Sequence, residues 1–517
     1  MKLNTLLQSW LLSSLTLNVA ASTSFFKEVV PTKRLTEDSM CQKLRNMEYA
    51  VRGKVVIKAD EINTLLKSSP KGTFNFDHIV YTNIGNPHSV GQKPLTWPRQ
   101  VLALADLPNE FGIDHPDVEK MFPSDAIARA RQIKDALDGH GTGAYTHSQG
   151  PLQFRQEICD FIEERDDLKK GSVDPKCIFM TNGASSGIEM ILNALISSPK
   201  SGIMIPIPQY PIYSATIDRF GGTQVGYYLD ENKGWDMNVA ELERALAQAK
   251  KEGVDVNSFV LINPGNPTGQ VLNKKAIQDI LKFCSKHNLL LLADEVYQEN
   301  VYREDAEFYS CRRAARDIGL DQSGLELVSF HSTSKGLYGE CGRRGGYMEL
   351  MGFDSAVRDQ LYKLASSHLC SNTPGQIMTS LMVNGPKKGD ASYEKHESEK
   401  NAIFESLAKR ASIVSDGFNK IPGFSCQTVA GSMYCFPRVE MPQGAIKYAK
   451  KTGMPVDTLY AVSLLEKTGI CVVPASGFGQ EEGRHGFRTT FLPSEEEMVR
   501  VVGAVRDHYT AFCNEYK

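Results

Sequence analysis

Ser258-Phe259-Val260-Leu261-Ile262 runs directly into Asn263-Pro264-Gly265-Asn266-Pro267-Thr268-Gly269. A helix-length segment later, Leu289-Leu290-Leu291-Leu292-Ala293 ends in Asp294. Neither apolar run alternates with polar residues, as a strand with one face in water would. Strands buried on both faces read this way, and they belong to parallel sheets covered by crossover helices. Similar runs stand at Cys177–Met180, Gly202–Ile205 and Leu327–Phe330, again separated by segments of helical length. Together they predict an α/β fold, with a mostly parallel sheet flanked by helices. Each run ends in a polar, Gly- or Pro-rich turn, where open α/β sheets place their ligands.

Outside that block the periodicity changes. Glu61–Leu66 and Asp125–Leu137 have helical spacing, and Gly139–Gly150 is a loop rich in Gly, Thr and Ser. An amphipathic helix follows Pro151, with Leu152, Phe154, Ile158, Phe161 and Ile162 as its apolar residues. A long helix with a charged, solvated face is expected from Tyr393 to Lys420. The expected organisation is a leader at 1–34 and the N-terminal part of a small domain with an arm at 35–140. A large domain at 141–385 follows, then a linking helix and the C-terminal small domain at 386–517. Between Met1 and Phe26 the only charge is Lys2, and the apolar stretch around Trp10-Leu11-Leu12 leads to Val19-Ala20-Ala21-Ser22. A secretory signal, a mitochondrial presequence and an unstructured leader all fit that pattern.

The chain has 517 residues, with 58 Lys+Arg against 61 Asp+Glu, so it lacks the basic field that nucleic-acid binding requires. No stretch of roughly 18 apolar residues offers a membrane span. The 11 cysteines include no C-x-x-C pair. That spacing argues for scattered buried thiols in a reducing compartment, Cys159, Cys284 and Cys435 among them, over a disulfide framework or a zinc site.

The turns carry the chemistry. Two Asn-Pro pairs stiffen residues 263–269 and can aim Asn266 into a cleft, although an ordinary loop would read similarly. Asp294 closes an apolar strand and is desolvated unless it is paired. A cationic ring nitrogen would hold it ionised, and a helix N-cap is the alternative. Tyr297 lies one turn further along and can face the same place. Ser332-Thr333-Ser334-Lys335 follows the run Leu327–Phe330, and a partly buried lysine at that edge can form a Schiff base. Arg344 precedes Gly345-Gly346-Tyr347, and a guanidinium can grip a phosphate bidentately. Asn182-Gly183-Ala184-Ser185-Ser186-Gly187 opens a helix whose N–H groups can bind an anion. A surface lysine, a surface arginine and a common glycine turn are the plain readings of these last three. Taken together, the pieces are what pyridoxal 5'-phosphate (PLP) needs: a lysine, an acid for its ring nitrogen, an asparagine–tyrosine pair for its phenolic oxygen and an anion cradle.

The order Gly183, Asn266, Asp294, Tyr297, Lys335, Arg344 resembles that of the fold-type I aminotransferases, the aspartate aminotransferase superfamily. Longer strings narrow the likeness, among them Glu48-Tyr49-Ala50-Val51-Arg52-Gly53, Asn83-Ile84-Gly85-Asn86-Pro87, Ala293-Asp294-Glu295-Val296-Tyr297-Gln298-Glu299-Asn300 and Ser476-Gly477-Phe478-Gly479-Gln480. From about Leu35 to the C-terminus they resemble the alanine aminotransferase family. The resemblance implies a fold-type I PLP transferase with a large domain and a smaller α/β domain. It implies that Lys335 carries the cofactor and moves the substrate's Cα proton, and that Asp294 pairs with the ring nitrogen. Asn266 and Tyr297 would meet the phenolic oxygen, Tyr210 would stack on the ring, and Gly183, Ala184, Ser185, Ser332 and Arg344 would hold the phosphate. Arg488 would hold the substrate carboxylate, with Asn266 and Gly85 beside it. Tyr145 would reach the phosphate site of a neighbouring subunit, which makes the expected assembly a homodimer with shared active sites.

The implied reaction is reversible amino transfer between L-alanine and 2-oxoglutarate, giving pyruvate and L-glutamate, in the mitochondrion or the cytoplasm. Two arginines depart from the pattern: Arg343 stands where an uncharged residue is expected, and Arg484 could compete for a carboxylate. An aromatic aminotransferase or an aminocyclopropane-carboxylate synthase would share every cofactor residue. A PLP-sensing transcription regulator would need a basic DNA-binding module, which residues 1–34 have neither the size nor the charge to supply.

Overall fold

The computed structural model describes residues 33–49 and 53–517 and divides into two units, Met1–Asn46 and Met47–Lys517. The described part of the first includes a short helix, Gln42–Asn46. Residues 1–32, nearly all of the expected leader, lie outside the described residues, as do Ala50, Val51 and Arg52.

In the second unit β1 (Val80–Tyr81) precedes the strands of a central sheet. These are β2 (Ile178–Met180), β3 (Ser201–Ile207), β4 (Thr223–Tyr228), β5 (Asp255–Ile262), β6 (Leu290–Asp294), β7 (Leu327–Ser332) and β8 (Gly346–Met351). Their spatial order is β2-β8-β7-β6-β5-β3-β4. Neighbours run parallel except at β8, which is antiparallel to β2 and β7. The five apolar runs of the sequence are β2, β3, β5, β6 and β7. β4 and β8 escaped that reading for physical reasons. β4 is an edge strand, exposed at Gln224 and Tyr228 and interrupted by Gly226. β8 carries a buried carboxylate, Glu349, which tolerates burial because Arg312 pairs with it.

The continuous apolar runs have the cause proposed for them. Val260 and Leu292 share one core with Ile188 and Ile191 of the helix Ala184–Leu195. Their neighbours Phe259, Leu261 and Leu291 face the other side, in a core with Ile277 and Leu281 of the helix Lys274–His287. Alternate side chains therefore enter opposite apolar layers, and each fully buried Leu or Ile contributes about 1.5–3 kcal/mol.

Smaller strands complete the unit: β9 (Phe424–Ser425), β10 (Tyr434–Cys435), β11 (Arg438–Val439), β12 (Ile470–Cys471), β13 (Val473–Pro474) and β14 (Phe487–Thr490). β9 pairs with β11, and β14 lies between β10 and β13. β1 runs parallel to β12, and Thr490 N–H donates to Thr82 O at 2.8 Å. That pairing carries the segment after Thr82 to the side of β14.

The expected helices are Lys54–Ser68, Ser124–Ala136, Leu152–Arg165 and Tyr393–Asn419. One expected apolar residue is misplaced. Leu152 is exposed, because the helix buries Phe154, Ile158 and Ile162 at four-residue spacing and Leu152 points away from that stripe. All 11 cysteines are free thiols, with Cys159, Cys284 and Cys435 buried and Cys41 exposed. Among the described residues no helix is long and apolar enough to cross a membrane.

Candidate active site

The turns after β2, β3, β5, β6 and β7 meet residues 84–86, β10 and β14 around one cavity of about 300 Å³. Every site residue expected from the sequence except Tyr145 lines it.

At one end is an anion cradle. The helix Ala184–Leu195 starts here, with Gly183 before it at φ 74°. Arg344, itself left-handed at φ 54°, donates from Nη2 to Asn182 O at 2.7 Å and to Ser185 Oγ at 3.1 Å. The guanidinium thus lies beside unsatisfied helix N–H groups, a concentration of donors suited to a phosphate. Ser332 lines the same end, its hydroxyl donating to Gly345 O at 3.2 Å and accepting from Ser334 N–H at 3.1 Å.

The middle holds groups suited to a cationic aromatic ring. Asp294 ends β6 and is followed by a turn, not by the helix it might have capped. Tyr213 OH donates to its Oδ2 at 3.2 Å, while the buried Oδ1 has no partner among the described residues. Burial pushes its pKa up to about 6, against the Tyr213 and Val296 N–H hydrogen bonds and the Lys335 charge. A cation brought to Oδ1 would reverse that penalty. Lys335 Nζ donates to Gly85 O at 3.0 Å. Tyr210 lines the cavity as a neutral phenol, its pKa raised by burial and by the Tyr49 hydroxyl. Asn266 is placed by its own turn: Leu272 N–H donates to Asn263 Oδ1 at 2.9 Å, and Gly265 N–H donates to Gln270 O at 2.9 Å. Both Asn–Pro bonds of that turn are cis.

At the other end Arg488 is buried on β14. It donates to Asn266 Oδ1 at 3.1 Å and to Asn83 O. Its guanidinium lies over the rings of Tyr434, at 4.4 Å, and Phe478, at 4.8 Å. Among the described residues its Nε has no partner and no carboxylate pairs with it. A buried guanidinium left this way is a receptor for a small carboxylate. Its bond to Asn266 turns the amide oxygen away and leaves the NH2 group to donate elsewhere.

The two doubtful arginines lie outside the cavity. Arg343 is 3.8 Å from Glu340, so Arg344 alone of the adjacent pair enters the site. Arg484 is paired with Glu231 at 2.9 Å in a separate polar cavity. Tyr145 is 77% exposed on the loop between two helices. Sequence reading missed Tyr213, Tyr49 and Tyr434. Tyr213 sits in an apolar helical stretch and Tyr434 in Met433-Tyr434-Cys435-Phe436, so each reads as core. The apolar cavity walls, the unpartnered Asp294 oxygen, Lys335 and the anion cradle fit PLP.

The profile of the family "Aminotransferase class I and II" matches residues 110–505. A probable mitochondrial alanine aminotransferase of Dictyostelium discoideum is 47% identical, covering 95% of this chain and 92% of the relative. Alanine aminotransferase 2 of Panicum miliaceum is 48% identical, covering 93% and 98%. Glutamate–glyoxylate aminotransferase 1 of Arabidopsis thaliana is 45% identical, covering 94% and 98%. An alanine aminotransferase structure from Pyrococcus furiosus superposes with a TM-score of 0.69 at 21% identity, covering 92% and 100%, a likeness of fold.

Proposed function

The chain belongs to the class I and II aminotransferases, and from that premise we propose that it is an alanine aminotransferase working with PLP in the cavity around Lys335. The observation that carries the cofactor reading is the buried Asp294 oxygen without a partner, in the same cavity as Lys335 and the Gly183–Arg344 cradle.

PLP, when bound, supplies an electrophilic carbon for an amine and a ring that accepts electron density from the substrate Cα. Asp294 Oδ1 would hold the proton on the ring nitrogen. The NH2 group of Asn266 and the hydroxyl of Tyr297 would serve the phenolic oxygen, and Tyr210 would cover the ring. Arg488 takes the α-carboxylate of L-alanine, which fixes the Cα–H toward Lys335 and removes rotational freedom before the chemistry. With the cofactor in place, Lys335 Nζ would be the base that takes the Cα proton and the acid that gives it back. One water would supply the oxo oxygen as pyruvate leaves, and the same residues would act in reverse on 2-oxoglutarate, returning a water and giving L-glutamate. Each turnover exchanges one amino group for one oxo group, so no external oxidant enters.

A homodimer in which Tyr145 serves the neighbouring site is part of this proposal, and the exposure of Tyr145 suits it. Mitochondrial residence is the location favoured by relatives whose names include that compartment. Sequencing the mature N-terminus from fractionated cells tests it.

The decisive experiment mixes holoenzyme with single amino acids and follows the visible absorbance of the cofactor. L-alanine and L-glutamate should each discharge it. A response to aromatic amino acids but not to alanine would overturn the substrate assignment. Turnover of glutamate with glyoxylate but not with pyruvate would move it to the second activity found among the relatives.

A further inference from the structure

We propose that Tyr434 is a positioning residue of this site: its hydroxyl turns Tyr297 toward the cofactor's phenolic oxygen while its ring supports Arg488, so one side chain serves both cofactor and carboxylate. The proposal rests on the cofactor reading above.

Three contacts converge on this buried tyrosine. β10 is antiparallel to β14 with Tyr434 opposite Thr490, which sets the ring beneath Arg488 two residues away. Its hydroxyl accepts from Tyr297 OH at 3.3 Å, with the two rings at 85°. A Cβ on Gly85 would meet Tyr434 Oη at 2.6 Å and Lys335 Nζ at 2.9 Å, so both groups border the space over that glycine. Tyr434 therefore touches the neighbourhood of Lys335, Tyr297 and Arg488 at once.

Tyr297 has one hydroxyl proton, and it is given to Tyr434. It can point to a phenolic oxygen in the cavity only if the shared bond reverses and Tyr434 donates to Tyr297. An anionic phenolic oxygen in the cavity is a stronger acceptor than the neutral Tyr434 hydroxyl, which favours that reversal. Burial alone would raise both phenols. Lys335, Arg488 and the Tyr297 hydrogen bond draw Tyr434 below its usual value, whereas burial and Tyr434 leave Tyr297 well above. Cys341 and Tyr210 also face Tyr434, and Asp294 faces Tyr297. Once the Tyr297 proton turns to the cofactor, the Tyr434 hydroxyl 3.3 Å away can donate to Tyr297, which gives a chain running Tyr434 to Tyr297 to the cofactor.

The test is a pH titration of the holoenzyme's visible band, which reports the proton shared by the lysine nitrogen and the phenolic oxygen. A donor at that oxygen draws off negative charge and lowers the midpoint, so losing the donor raises it. Tyr434→Phe keeps the ring and should raise the midpoint by about half a pH unit, a roughly threefold change in the ionisation constant, in the same direction as Tyr297→Phe. In a Tyr297→Phe background Tyr434→Phe should add nothing further, because the chain is already broken. Substrate KM should be unchanged in Tyr434→Phe and raised several-fold in Tyr434→Leu, which removes the platform under Arg488. A shifted midpoint in Tyr297→Phe with none in Tyr434→Phe overturns the proposal and leaves the cofactor reading intact. A wild-type protein that forms no visible band with PLP defeats both.

Discussion

Arg344 lies so close over Gly183 that a Cβ on that glycine would stand 2.8 Å from its Nη2. Gly183 is also at φ 74°, where an L side chain is strained. Gly183→Ala therefore combines backbone strain of about 1–3 kcal/mol with displacement of the guanidinium from Ser185. Cofactor affinity, measured by fluorescence titration of the cofactor-free protein, should fall on the order of tenfold or more. Unchanged affinity would mean that the cradle does not hold the phosphate.

Among the described residues Lys335 is the one lysine lining the cavity, and it is held 3.0 Å from Gly85 O. Lys335→Ala should bind PLP without a covalent link and lose at least about 10²–10⁴-fold in turnover, the span expected of a proton-transfer group. Borohydride reduction followed by mass spectrometry checks the first point, since only the wild-type chain should retain the cofactor mass.

The raised pKa of Asp294, about 6, makes a stability prediction for the cofactor-free protein. Between the ordinary carboxyl value and 6 the folded state binds the extra proton, so this group's contribution to stability falls as pH rises through that window. Asp294→Asn removes the penalty. At pH 7.5 the cofactor-free variant should be more stable than wild type by about 1–3 kcal/mol, and at pH 4 the gain should vanish. Activity should move the other way, falling at least about 10²-fold, because the ring nitrogen loses its counter-ion. Melting curves at the two pH values separate these outcomes.

Arg488→Lys keeps the charge and gives up the fork. It leaves Asn266 Oδ1 or Asn83 O without a donor and cannot meet a carboxylate bidentately. kcat/KM for L-alanine and for 2-oxoglutarate should fall together by about 10²-fold, the equivalent of about 2.7 kcal/mol. A loss confined to one substrate would show that the two carboxylates are read by different groups.

Tyr145 tests the assembly. Tyr145→Ala should raise cofactor dissociation about tenfold while leaving the melting temperature of the cofactor-free chain nearly unchanged, as an exposed side chain should. Sedimentation should show a dimer. A monomer with full cofactor affinity would remove the neighbouring-subunit role.

The central sheet was legible because its strands are buried on both faces. Phe259–Ile262 of β5 and Leu290–Ala293 of β6 are unbroken apolar runs, and Asn266 and Asp294 stand at their C-terminal ends. β4 and β8 were not legible, the one exposed at an edge and the other carrying Glu349. Tyr213 and Tyr434 were missed for a related reason. A tyrosine in an apolar stretch has the same pattern whether its hydroxyl ends in a core or in a cavity.

The α/β class and the residue types gathered at the ends of the strands can be read from the amino-acid order alone, because periodicity and turn chemistry are local properties. Only the tertiary structure decided which arginine of each doubtful set enters the cavity. Arg343 turns to Glu340 and Arg484 to Glu231, while Arg344 and Arg488 face inward. It alone set Asn83 and Gly85 against Arg488 and Lys335. That contact depends on β1 pairing with β12 across nearly the whole chain, and no local pattern records where a distant strand will dock.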